Sequence, residues 1–246
     1  YYGVADIVGD SLGLAIDGDK VNTDKILMCG VHFMAETAKI MSPEKKVILP
    51  DFSAGCSLAE SITAEDVRKL KKDNPGIPVV TYVNTSADVK AETDICCTSA
   101  NAVKIIESLN VDKVIFLPDE YLAKYVASKT NVKIISWNGK CEVHERFTDK
   151  EIIELRKKYP NLKVVSHPEC PPEVIKASDY TGSTGSMINY VKNTNAKDIF
   201  LVTECSMSDN IQIENPNINF VKPCNLCPHM KKITLQGILK SLKNEN

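Results

Sequence analysis

The sequence predicts an α/β protein of three homologous α/β/α units with parallel sheets, in pseudo-threefold arrangement around a central cavity. Three observations predict it. Val/Ile-rich strand patterns alternate with amphipathic helical ones, which demands right-handed crossovers and parallel sheets covered by helices. A hydroxyl residue recurs at a fixed distance before a strand, and a cysteine recurs at a fixed distance before a helix.

In the first unit Ser11 leads to Asp24, where a strand over 25–28 opens; a second strand spans 46–49 and Cys56 follows. The second unit starts with a strand over 79–84 that carries Tyr82. Ser99 closes a short strand over 94–98 and precedes Asp112 and the strand 113–117 by the same interval that separates Ser11 from Asp24; a strand over 132–136 leads to Cys141. The third unit repeats this with a strand over 164–169. There His167 precedes Thr184 as Tyr82 precedes Ser99, and Thr184 precedes Lys197 as Ser99 precedes Asp112, each time by an identical count. Strands over 179–183, 198–202 and 218–221 complete it before Cys227. Cys56, Cys141 and Cys227 thus follow Ser11, Ser99 and Thr184 at nearly equal intervals.

Beyond each cysteine, at one common spacing, lies an apolar residue and a threonine: Ile62-Thr63, Phe147-Thr148 and Ile233-Thr234. Thr is a good N-cap, and Thr148 with Glu151 forms a capping-box pattern. Amphipathic helices over 64–72, 149–158 and 235–243 are therefore expected. The implied boundaries are 1–60, 61–145 and 146–232, with the helix in 233–246 packing back to complete the first unit. Counted back from Ser11, the counterparts of Tyr82/His167 and Asn84/Glu169 fall before Tyr1, so the first unit is expected to be incomplete at its start.

In parallel sheets ligands gather beyond the C-terminal strand ends. Tyr82 and His167 share one address there, and Asn84 and Glu169 another. His167-Pro168-Glu169 sets an imidazole and a carboxylate on the same side of an extended strand, a pair suited to acid–base work; the plainer reading is solvated strand-end residues. Ser11, Ser99 and Ser183-Thr184 precede or open helices, where hydroxyls and free N–H groups hold carboxylate or phosphate; simple capping is the plainer reading, and both can hold.

Nine cysteines in 246 residues are an odd number in a chain too large to need disulfide staples, so reduced thiols are expected. Cys29, Cys96, Cys97, Cys170 and Cys205 read as small core residues. If equivalent residues converge on the pseudo-threefold axis, Cys56, Cys141 and Cys227 present three thiolates to one point, the ligand set of a [4Fe–4S] cluster with one open iron. Cys224-Asn-Leu-Cys227 has the spacing of half a zinc site, which keeps zinc open, and the two thiols are candidates for a redox-sensitive disulfide. His144 and His229 read as residues behind the ligands or at the surface, and His32 as structural.

Thirty basic against 32 acidic residues give a net charge of −2, which advertises neither nucleic acid nor an anionic membrane as partner. No apolar run reaches the roughly 18 residues of a membrane span, and no signal-peptide pattern opens the chain. A cytoplasmic location is expected. Gly-rich dinucleotide, Walker and Gly-x-Ser-x-Gly motifs are absent.

Gly9-Asp10-Ser11-Leu12, Phe33-Met34-Ala35-Glu36-Thr37-Ala38-Lys39, Tyr82-Val83-Asn84, Thr98-Ser99-Ala100-Asn101-Ala102, His167-Pro168-Glu169-Cys170, Ser183-Thr184-Gly185 and Met230-Lys231-Lys232-Ile233-Thr234 resemble the quinolinate synthase family. The resemblance implies condensation of iminoaspartate with dihydroxyacetone phosphate to quinolinate, with loss of phosphate and two waters, and supply of iminoaspartate by L-aspartate oxidase or aspartate dehydrogenase. It implies a [4Fe–4S] cluster on Cys56, Cys141 and Cys227 whose open iron acts as a Lewis acid. Substrate positions carried over are Ser11, Tyr82, Val83, Asn84, Ser99, His167, Pro168, Glu169, Ser183 and Thr184, with Glu169, His167 and Tyr82 catalytic. The family opens with a His-x-Tyr-Gln strand, which precedes Tyr1, and impaired activity is the expectation for the chain as written. Two other readings stay open: another [4Fe–4S] hydro-lyase, and a non-enzymatic iron–sulfur or zinc redox sensor.

Overall fold

The computed structural model describes residues 3–221 and 223–245. Its elements follow the repeat. The first unit runs α1 (Ser11–Lys20), β1 (Lys25–Leu27), α2 (His32–Met41) and β2 (Lys46–Ile48). The second runs α3 (Ala64–Asp73), β3 (Val79–Tyr82), α4 (Ala87–Ala91), β4 (Ile95–Cys97), α5 (Ala102–Ser108), β5 (Lys113–Leu117), α6 (Glu120–Ala127) and β6 (Lys133–Ser136). The third runs α7 (Asp149–Lys158), β7 (Lys163–Ser166), α8 (Pro172–Ala177), β8 (Tyr180–Thr181), α9 (Thr184–Asn193), β9 (Asp198–Val202), α10 (Cys205–Glu214) and β10 (Asn219–Phe220), and α11 (Leu235–Asn244) closes the chain.

All strand pairs are parallel, and the second and third sheets share one strand order, β4-β3-β5-β6 and β8-β7-β9-β10. Register repeats as well: Val80 pairs Ile95 and Val165 pairs Tyr180, with the same offset along the chain. The first sheet, β1-β2, matches the last two strands of the others, with Lys25 opposite Lys46 as Asp198 is opposite Asn219. Asp94 and Asp179 tie their sheets alike, their carboxylates accepting from the Val79 and Val164 backbone N–H groups at 2.7 and 2.9 Å.

Each central strand is apolar on both faces, as burial under helices on both sides demands. Val79, Val80, Ile115, Phe116, Val164, Val165, Ile199 and Phe200 are at most 1% exposed. Helix starts follow the threonines. Thr63, Thr148 and Thr234 cap α3, α7 and α11, the first two as full capping boxes with Asp66 and Glu151. Each such cap contributes about 1 kcal/mol. On and beside α11, Ile233 and Ile238 pack with Val31, Phe33 and Ala54, and Lys25 pairs with Glu245 at 2.7 Å.

The sequence reading of the peripheral cysteines needs correction. Cys97 and Cys170 are buried, but Cys29 and Cys96 are exposed. Alternate residues of a strand face opposite ways, so on the edge strand β4 Cys97 turns inward and Cys96 outward. His32 likewise opens α2 with an exposed side chain, set edge-to-face on Phe52 and 4.0 Å from Glu36, and its backbone N–H donates to the Ala54 carbonyl.

Candidate active site

Three identical devices carry the cysteines. In each unit the N–H of the residue after a strand-end N-cap position donates to a carbonyl just ahead of the cysteine: His32 to Ala54, Glu120 to Gly139 and Cys205 to Asn225. The cysteine carbonyl then accepts from Glu60, Glu145 or Lys231, one turn further on, starting a 3-10 turn. That turn aims two backbone N–H groups at each sulfur: Leu58 and Ala59 at Cys56, Val143 and His144 at Cys141, His229 and Met230 at Cys227. The three thiols come together, Cys56 lying in electrostatic reach of both Cys141 and Cys227.

Burial pushes Cys56 up to about 12 and raises Cys141 and Cys227, so in the absence of a cation these sulfurs keep their protons. Cation binding would expel them, as thiolate ligands require. Spacing bears on which cation. Among the described residues the one set of three potential ligand atoms within 4.8 Å of one another is Cys141, His144 and Glu169, so the three thiols are spread more widely than that. With Zn–S bonds of about 2.3 Å, thiolates on one zinc ion lie closer together. That spacing suits a multinuclear group better than a single zinc ion.

Cys224 is not paired with Cys227 as the sequence suggested. It is bonded to Cys205, Cα to Cα 5.1 Å, and Cys227 stays free. The reason is local: the Cys205 N–H to Asn225 carbonyl bond lays the start of α10 against the loop and brings residues 205 and 224 side by side. Cys205 is thus half of a cross-link and not a lone core thiol.

A cavity of about 50 Å³ is lined by Asp10, Ser11, Leu12, Tyr82, Val83, Asn84, Thr98, Ser99, Ala100, Ser183 and Thr184, residues of all three units. Ser11 opens α1 behind the Asp10 cap, and Ser183 caps α9 with Thr184 as its first residue. Ser99 precedes α5, in a turn closed by the Asn101 side chain on the Thr98 N–H. The Asn84 Oδ1 is buried without a partner.

Behind this wall lies Glu169, 3% exposed. Tyr82 donates its hydroxyl to Glu169 Oε1 at 2.6 Å, and His144 Nδ1 stands 2.9 Å from Oε2. Burial opposes the charge on Glu169, but His167, His144 and Tyr82 outweigh it and hold the carboxyl down at about 2. Burial brings His167 down to about 4 against the pull of Glu169. At neutral pH the pair is therefore carboxylate and neutral imidazole. Tyr82 is raised well above 10 by burial and the Glu169 charge and remains a donor. Ser99 Oγ meets His167 Nε2 at 3.3 Å, while Val83 and the buried Pro168 shape the wall.

Sequence reasoning read His144 only as a residue behind the ligands or at the surface, and it passed over Asp119 and Thr203. His144 stacks on His167 with ring centroids 4.9 Å apart and meets Thr203 Oγ1 through Nε2 at 3.0 Å. Asp119 is fully buried; Oδ1 caps α6 at Leu122, Oδ2 has no partner, and burial with the Glu169 charge raises its pKa well above the carboxylate range. The available signal was address: Thr203 and Asp119 follow the ends of equivalent strands β9 and β5, where ligands gather.

Residues 2–246 match the family described as Quinolinate synthetase A protein. The chain belongs to the quinolinate synthase family. It is 60% identical over 244 residues to a quinolinate synthase of Sinorhizobium fredii, covering 99% of this chain and 68% of the relative. It is 58% identical to one of Xylella fastidiosa, covering 99% and 72%, and 55% identical to one of Caulobacter vibrioides, covering 100% and 68%. No helix among the described residues is long and apolar enough to cross a membrane.

Proposed function

We propose that this quinolinate synthase family chain condenses iminoaspartate with dihydroxyacetone phosphate to quinolinate, with loss of phosphate and two waters, downstream of an enzyme that makes the imine from aspartate. The observation that carries the reading is the assembly of one anionic carboxylate, Glu169, with a tyrosine donor and two imidazoles over three converging thiols. The units 1–60 with α11, 61–145 and 146–232 each contribute one wall and one cysteine.

Cys56, Cys141 and Cys227 would hold a [4Fe–4S] cluster, supported by their wide spacing and by the two N–H groups aimed at each sulfur, the kind of hydrogen bonding that tunes such clusters. When bound, such a cluster supplies a Lewis acid at the iron that no thiolate holds. The protein's own groups do the rest. Ser11, Ser99, Ser183 and Thr184 present hydroxyls and free backbone N–H groups to carboxylate and phosphate oxygens without net positive charge. Asn84, its Oδ1 unspent, orients an amine or hydroxyl of the substrate. Glu169 is the base, accepting a proton from the carbon or imine nitrogen nearest the new bond. Tyr82 and His167 hold the carboxylate and the substrate in register, and Val83 and Pro168 exclude water.

The test is product analysis. Anaerobically iron-loaded protein given both substrates is expected to release quinolinate and inorganic phosphate in equal amounts. Turnover of a hydroxy acid without quinolinate would favour the hydro-lyase reading and overturn this one.

A further inference from the structure

The cysteine loops are laced to one another by side chains that take no part in the cavity. Ser57, next after Cys56, donates from Oγ to the Lys140 carbonyl and accepts from the Glu142 N–H, both at 3.1 Å, so it is inserted into the loop of Cys141. Glu142, next after Cys141, brings Oε1 to 2.9 Å from Nε2 of His229, just past Cys227. The approach falls outside in-line hydrogen-bond geometry, since Oε1 and the His229 Nδ1 have no hydrogen-bond partner. Glu142 is steadied on its other oxygen by Arg146 at 3.5 Å. The Asn225 amide adds a bond to the Val143 carbonyl at 3.3 Å, and Lys232 reaches the Ser53 carbonyl at 2.6 Å, closing the circuit from the third loop to the first.

Each link joins loops from two different units, so the spacing of the sulfurs depends on the seams as well as on the sheets. We propose that Ser57, Glu142 and His229 form a latch between the three ligand loops that governs how long the cluster is retained. They are positioning residues and touch no substrate. The latch rests on the three-cysteine reading above. A cluster held from three separate units is lost when any seam opens. The Lys232 link is exposed and contributes little, whereas the side chains of Glu142 and His229 are 28% and 18% exposed. Ser57 is partly buried.

Iron release from anaerobically loaded protein to a chelator, followed by loss of the visible cluster absorbance, tests this. Glu142→Gln and His229→Gln are each expected to release iron on the order of threefold faster than the parent, the effect of losing one partly exposed charge contact. The double variant should be no faster than the worse single one, since both break the same link. Ser57→Ala should also accelerate release and Ser57→Thr restore it. Thermal unfolding of the cluster-free proteins should shift by no more than a few degrees and should not rank the variants as iron release does, which separates a latch from a general loss of stability. Release rates equal to the parent in all variants would overturn the proposal. Should Glu142→Gln fail to fold, His229→Gln tests the same contact from the opposite loop. Full iron binding by Cys56→Ala in the same series would instead sink the three-cysteine reading, so the two failures are distinct.

Discussion

The floor and the walls of the site use the same repeat in opposite ways. On the floor, Cys56, Cys141 and Cys227 keep one residue, one 3-10 turn and one pair of N–H donors in all three units. Within the turn that follows, the address diverges to Ala59, His144 and Met230, and only His144 reaches Glu169. On the walls Tyr82 stands where His167 stands, and Asn84 where Glu169 does. Symmetry suits a group bound alike from three sides, and asymmetry suits two unlike substrates.

If the asymmetric wall does the proton chemistry, Glu169→Gln should cut turnover by about 10²- to 10⁴-fold while iron content stays at the parent level. Loss of iron together with activity would merge wall and floor into one structural unit. A smaller effect is expected one contact back. Thr203→Val removes the hydroxyl on His144 Nε2 and should lower kcat by about tenfold with little change in KM, and Thr203→Ser should restore it.

The third loop differs from the other two by a cross-link. Its equivalents of Cys205 and Cys224 are His32 with Ser53 and Glu120 with Asn138. Removing the bond with Cys224→Ser should lower the stability of oxidised protein by up to about 3 kcal/mol for so short a closed loop. Under a dithiol reductant, variant and parent should unfold together. A gap that survives reduction would show that residue 224 matters by packing and not by its bond.

Acid should act through the wall. His167 is held neutral, its folded pKa of about 4 lying below the unfolded 6.5. Its contribution to stability is therefore complete above pH 6.5 and is lost as pH falls toward 4, at most about 1.4 kcal/mol per pH unit from this one group. Chemical denaturation at pH 7, 6 and 5 should show that slope in the parent and a shallower one in His167→Gln.

How much could be read beforehand follows the same division. The strands β5 and β9 and the helix α7 with its Thr148–Glu151 box are local patterns copied several times, and the structure shows the elements where the spacing put them. His144 against Glu169, Thr203 against His144, and Cys205 against Cys224 join residues well separated along the chain and follow no period, so nothing in the string announces them. The turn that Asn101 closes onto Thr98 beside Ser99 is a single side-chain choice that the repeat does not carry. Copied features were legible, and those that make the three copies differ had to be seen folded.

The most direct measurement is iron and sulfide counting, with electron paramagnetic resonance, on the anaerobically reconstituted parent and on Cys56→Ala, Cys141→Ala and Cys227→Ala, each beside Cys224→Ser. The parent and Cys224→Ser are expected to hold about four irons per chain, and each of the three alanine variants to lose the intact cluster. Unchanged iron in the three alanine variants, or loss of the cluster only in Cys224→Ser, would contradict the assignment of one position used three times.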